Sequence, residues 1–96
     1  MKAIMIHFLV HDASDDVAVA VVDIAAGTKC VGRDLVTNKE ITHTVTQYIP
    51  LGHKFARHDC QVGDTLKKYG TEIGKVVQPI KAGEHVHVHN LKTKRW

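Results

Sequence analysis

Aromatic side chains are scarce in this sequence: one Trp, two Tyr and two Phe among 96 residues. An interior with so few rings must be built mainly from Val, Ile, Leu and Ala, a composition that suits strands. Long apolar runs are absent too. No stretch approaches the roughly 18 to 20 apolar residues that cross a bilayer. The opening Met1-Lys2-Ala3-Ile4-Met5-Ile6-His7-Phe8-Leu9-Val10 is interrupted by His7 and lacks the cleavage site of a secretion signal. It reads as a strand of the mature fold, and the protein is expected to be soluble and cytoplasmic, without membrane association. An excess of one charge is also missing: 13 Lys and Arg stand against 10 Asp and Glu, and the surplus sits in Lys92, Lys94 and Arg95. That is too weak for a nucleic-acid footprint. Cys30 and Cys60 lie far apart with no close-spaced motif, so they read as two reduced thiols. No Ser/His/Asp order, phosphate-binding glycine loop or dinucleotide fingerprint is present, which makes self-contained catalysis doubtful.

The pattern that is there fits one domain spanning 1–96 with a single small core. Short Val-rich and Ile-rich runs separated by glycine recur, without a linker or an amphipathic helical period. Strands are expected at Ile4 to Val10, Val17 to Ile24, Ile41 to Gln47, Lys54 to His58, Lys75 to Val77 and His85 to His89. Val17 to Val22 could equally be a buried helix by periodicity; its Val content favours strand. A fourfold pattern places an apolar residue three positions before a glycine: Ile24 and Gly27, Ile49 and Gly52, Cys60 and Gly63, Ile80 and Gly83. Such spacing predicts tight turns in which glycine takes a positive φ and the apolar residue anchors the turn in the core. Gly70 and Gly74, flanking Thr71-Glu72-Ile73, suggest one more reversal. The fold class is therefore all-β, a compact domain of short strands and glycine turns.

Eight histidines are the unusual count, because imidazole binds metals and moves protons near neutral pH. In His85-Val86-His87-Val88-His89-Asn90 the alternation would put three imidazoles on one strand face and both valines in the core. Same-face neighbours lie roughly 6 to 7 Å apart along a strand, so a single metal would usually take a further His from elsewhere. The bland alternative is an exposed strand that happens to be His-rich. Gly52-His53-Lys54 offers an imidazole and a cation beside a turn, able to bind a carboxylate or move a proton, or simply to be solvated. His11-Asp12-Ala13-Ser14-Asp15-Asp16 reads first as a turn whose Asp side chains cap local amides, and second as a loop lending His11 and a carboxylate to a site. Lys67-Lys68-Tyr69-Gly70 is either an anion contact or a solvated turn. His7, His43 and His58 are isolated and receive no role.

From His11 to Asn90 the chain resembles the small SAF-type, or β-clip, module of altronate and galactarate dehydratases. The resemblance rests on Asp15-Asp16-Val17-Ala18-Val19-Ala20, Ile49-Pro50-Leu51-Gly52-His53-Lys54, Lys68-Tyr69-Gly70 with Ile73-Gly74, and Ile80 through Leu91. Asp16 stands where the family pattern often has Asn. The resemblance implies a SAF-like β-clip fold and a subunit of a lyase whose bulk machinery lies in a separate large catalytic partner. It also implies a small hydroxy-acid substrate and a divalent metal, iron(II) being the expected ion, in the assembled enzyme. A related sulfo-lyase branch expels sulfite from sulfolactate instead of water, and the length and ending of the chain favour that branch. By the same resemblance, His53 and Lys54 are the catalytic candidates; His11, Asp16, Lys68, Tyr69 and Asn90 the substrate contacts; and His85, His87 and His89 the metal ligands. Two other classes compete. A non-catalytic ligand-binding module would display Thr, Asn or aromatic residues in a flat patch; a metal store or sensor would need more ligands than one strand offers, unless the chain self-associates.

Overall fold

A computed structural model describes residues 6–12, 14–68 and 71–93. Nine strands are described: β1 Phe8–Val10, β2 Val17–Ala20, β3 Lys29–Asp34, β4 Glu40–Thr44, β5 Lys54–Ala56, β6 Thr65–Lys68, β7 Thr71–Val76, β8 His85–Val86 and β9 Leu91–Thr93. No helix occurs among the described residues, so the all-β expectation holds and the Val17 run is strand. Six strands form one sheet in the order β4-β3-β1-β2-β5-β8; the other three form a second sheet in the order β6-β7-β9. Every pairing is antiparallel except β1 with β3.

The four glycine turns organise the molecule. Gly27, Gly52, Gly63 and Gly83 all have φ between 85° and 95°, a conformation that costs side-chain-bearing residues about 1–2 kcal/mol. The residue after each glycine donates its N–H to the carbonyl three positions back, to Ala25, Pro50, Gln61 and Lys81 respectively. That bond with glycine at the third position is the pattern of a type II turn. The anchors then pair: Ile24 bridges Ile49, and Cys60 bridges Ile80. Each pair carries the same side-chain tie, Asp23 accepting from Leu51 N and Asp59 accepting from Ala82 N, both at 2.8 Å. The chain therefore builds two lobes by one recipe.

Each lobe has its own apolar cluster. The first gathers Phe8, Val10, Ala18, Ala20, Ile24, Cys30, Val45, Ile49 and Phe55; the second gathers Val17, Ala56, Cys60, Leu66, Val76, Ile80, Val86 and Leu91. Strands β2 and β5 pass between them, so Val17 and Ala56 serve one cluster while Ala18 and Phe55 serve the other. Two phenyl rings meet edge-on at 5.1 Å in the first lobe, and His43 packs within 6 Å of both. Its imidazole is held below its ordinary pKa by burial, then by Arg57, both of which disfavour the charged form. Phe8 also explains Gly32: a Cβ there would collide with the phenyl ring, so β3 passes it only as glycine.

Several expected elements need correction. Strands β3, β6 and β9 were not among those read from sequence, because Lys29, Arg33, Thr65, Lys67 and Lys92 interrupt their apolar residues. The Thr71-Glu72-Ile73 segment is strand, not a reversal, and Gly74 lies inside β7, where a Cβ would meet the carbonyl of Lys92. Strands β6 and β7 pair with Lys68 opposite Thr71, and Gly70 lies outside the described residues. The His85–His89 strand ends at Val86; residues 88–90 form a turn that leaves Val88 76% exposed instead of in the core.

Candidate functional site

The site is assembled where the two lobes meet, at the short pairing of β5 with β8. Its register sets Lys54 opposite Val86 and Phe55 opposite His85. One step further along, the same register directs His53 toward His87. Because the chain leaves β8 into a turn, His87 curls back over the strand end instead of running on. His53 Nδ1 and His85 Nε2 lie 2.8 Å apart in a ring-to-ring hydrogen bond. The ring of His53 lies 4.8 Å from that of His87, which stacks on His85 at 5.4 Å and 10°.

One nitrogen from each of His53, His85 and His87 falls within 4.8 Å of the others. Bonds of about 2.0–2.1 Å put three imidazole nitrogens on one ion about 3.3–3.6 Å apart, so side-chain shifts of roughly an ångström would close the set. Burial, then the imidazoles of His53, His87 and His89, then Lys54, hold His85 below its ordinary pKa. A neutral ring is the form that ligates a metal. The donor chemistry therefore fits a divalent transition metal, for which imidazole is a suitable ligand. Among the described residues this trio is the group with such geometry.

The backbone beneath the trio is fastened by two amides. Asn90, only 4% exposed, accepts from His87 N at 2.9 Å through Oδ1 and donates to His85 O at 2.8 Å through Nδ2. It fixes the turn and thereby the spacing of two ligands. Gln47, reaching in from beyond β4, accepts from His85 N at 2.9 Å. Lys54 is half-buried beside the trio; burial first, and Lys68 second, hold its ammonium below the ordinary lysine value. Two cations near one cluster suit an anionic ligand.

The expected residues sort unevenly. His53, Lys54, His85 and His87 come together, with Lys68 close enough to act on Lys54. His89 lies beside His85 at 5.8 Å, but His53 takes its expected place in the three-nitrogen set. Asn90, expected at substrate, spends the oxygen and nitrogen of its amide on the ligand-bearing backbone. Asp16 is committed elsewhere: Oδ1 pairs with His58 Nε2 and Oδ2 accepts from Lys67 N, both at 2.7 Å. That clasp joins β2, the end of β5 and β6, and gives His58 the partner that its isolation in the sequence concealed. His11 lies half-buried in the bend after β1, next to an Asp12 carboxylate that caps Ser14 as the turn reading expects. Tyr69 lies outside the described residues. Sequence reasoning missed Gln47 and His58; even the β2–β5 register, which continues from the Val17–Ala56 pair to set Asp16 opposite Arg57, brings Asp16 only to the neighbour of His58.

Comparison with known proteins agrees with this architecture. Residues 6–94 match the model of the altronate/galactarate dehydratase SAF domain. The chain is 48% identical over 92 residues to the (2R)-sulfolactate sulfo-lyase subunit alpha of Chromohalobacter salexigens, covering 95% of this chain and 98% of that one. It is also 48% identical over 59 residues to the same subunit of Paracoccus pantotrophus, covering 62% of this chain and 88% of that one. The altronate dehydratase of Escherichia coli is 42% identical over 93 residues, 97% of this chain but only 17% of the enzyme. The chain thus belongs to the SAF-domain family of altronate and galactarate dehydratases.

Proposed function

We propose that this chain is the small subunit of a two-component lyase that acts on a hydroxy acid, and that its reaction is the conversion of (2R)-sulfolactate to pyruvate and sulfite. The observation that carries this reading is 48% identity along nearly the whole of both chains to a sulfo-lyase subunit alpha. The reaction removes the proton on the carbon bearing the carboxylate and breaks the neighbouring C–S bond. Its electron pair leaves with sulfite, and the resulting enol becomes pyruvate.

In this reading His53, His85 and His87 hold the divalent metal, iron(II) being the expected ion. When bound, it supplies Lewis-acid stabilisation of developing negative charge. Lys54, half-desolvated and assisted by Lys68, binds and orients the substrate carboxylate, where a cation out of bulk water acts more strongly. Asn90 and Gln47 keep the histidine-bearing backbone rigid, which holds the site near its productive geometry. A large catalytic subunit in the cytoplasm supplies the remaining groups, among them the base at the carbon to be deprotonated. The altronate dehydratase alternative has its own support in 42% identity over 97% of the chain.

The test is co-expression with the companion subunit of a sulfo-lyase, anaerobic purification with ferrous iron, and parallel assays on sulfolactate and altronate. Sulfite release from sulfolactate is expected; dehydration of altronate alone would transfer the chain to the other branch. His53→Ala and His87→Ala should each abolish turnover while far-ultraviolet circular dichroism retains its β signature. Near-normal activity of both would remove these residues from the site.

A further inference from the structure

The three-histidine cluster is not enclosed by this chain. His87 and His89 are exposed, and the turn that carries them projects Val88, 76% exposed, into solvent. Val77 stands next to that turn, its N–H bonded to Asn90 O at 2.9 Å, and is itself 43% exposed. Beside them runs a cleft of about 160 Å³ lined by Gln47, Gln78, Pro79, Glu84, His89 and Asn90. Its walls hold three side-chain amides and a carboxylate but no Lys or Arg, so it is poorly matched to a dianionic substrate. It is better matched to a neutral or cationic protein side chain, or to the polar main chain of a loop.

We infer that the Val77–Val88 face and the adjoining amide-lined cleft are the docking surface for the large catalytic subunit, which covers the open side of the histidine cluster. This rests on the two-component reading above. Three observations select that occupant. The apolar pair is contiguous, through Asn90, with the backbone that bears the candidate ligands. The trio provides three nitrogens and leaves the remaining positions around an ion to groups from outside. And in the Escherichia coli altronate dehydratase the matching region is only 17% of one longer chain, so there the remainder of the enzyme is covalently joined to this module. Exposed valines beside a polar cleft repeat the arrangement, apolar at the centre and polar at the edge, of a protein interface.

The experiment co-expresses the full chain with the companion sulfo-lyase subunit and measures co-purification, using wild type, Val88→Glu, Val77→Glu, and Val36→Glu on the β3–β4 turn as a surface control. Cobalt(II) binding to each isolated chain, read by its visible absorption, reports the cluster independently of activity. Expected are at least a tenfold weaker association for Val88→Glu and Val77→Glu, unchanged association for Val36→Glu, and cobalt binding retained throughout. If wild type associates and both face variants associate as well as it does, the docking surface is wrong while the two-component reading stands. If the face variants instead dissolve a homodimer of the isolated chain and leave heteromer formation intact, the occupant is a second copy and the inference fails. If wild type does not associate at all, the two-component reading itself is lost, and the docking surface with it.

Discussion

Three of the four glycine turns close on themselves, and the fourth does not. After Gly27, Thr28 returns its hydroxyl to Ala25 O; after Gly63, Asp64 accepts from Gln61 N; after Gly83, Glu84 accepts from Lys81 N, all at 2.7–2.8 Å. After Gly52 the corresponding residue is His53, whose ring leaves its own turn and meets His85. The backbone bond is the same in all four. One position in a repeated structural device has exchanged a local cap for a contact between lobes, and the candidate chemistry sits there. Stability and function are thereby separated at a single side chain, since the type II turn persists without its cap.

The comparison among turns can be broken first at the glycines. Gly63 and Gly83 share a positive φ, but a Cβ on Gly63 meets open space, whereas one on Gly83 collides with the carbonyl of Thr44. Gly63→Ala should cost about 1–2 kcal/mol from backbone conformation alone. Gly83→Ala should cost about 3 kcal/mol or more, because backbone gives way poorly to overpacking. Thermal unfolding reads both, at about 4–8 °C per kcal/mol for a domain of this size. Equal losses would mean that the turns are not distinguished by their surroundings.

A smaller effect on stability, with a sharp effect on chemistry, is expected from His53→Thr, which gives the second turn the cap that Thr28 gives the first, without adding a metal-binding carboxylate. The midpoint of unfolding should move by no more than the equivalent of about 1 kcal/mol, while cobalt(II) binding to the isolated chain disappears. Retained cobalt binding would show that His89 can stand in for His53.

The smallest effect belongs to the clasp between β2, β5 and β6. The carbonyl of Asp59 first, and the Asp16 carboxylate second, raise the pKa of His58 above the ordinary imidazole value of 6.5. A raised folded-state pKa contributes stability that is fully present below that ordinary value and fades as pH rises through the folded-state value. The His58 side chain is 55% exposed, so solvent screening keeps the contribution slight. His58→Ala should therefore lower the melting temperature more at about pH 5.5 than at about pH 8. A difference independent of pH would show that the clasp carries no charge.

Much of this architecture was legible from residue spacing, and the reasons differ by element. The turns were readable because anchor and glycine lie three positions apart in one stretch, as Ile80 and Gly83 do. Strand β3 was not, because its inward positions are Cys30, Gly32 and Asp34, and Gly32 is demanded by a distant phenyl ring. The histidines were half readable. Alternation placed His85 and His87 near each other, but the departure from strand after Val86 depends on Asn90 folding back on His85, and the choice of His53 depends on the β5–β8 register. No local pattern encodes a register between segments some thirty residues apart.

The two anchor bridges also bear on how the chain folds. Ile24–Ile49 and Cys60–Ile80 each close a loop of modest and similar length, so the entropy lost on closing them is nearly the same. Each lobe can thus gather its own turn pair early from contacts near in sequence. The β5–β8 pairing, two residues long, can form only after both lobes exist. The histidine cluster therefore depends on contacts from both halves, and its His85 and His87 amides, bonded to Gln47 and Asn90, should be protected from exchange only while both halves are folded.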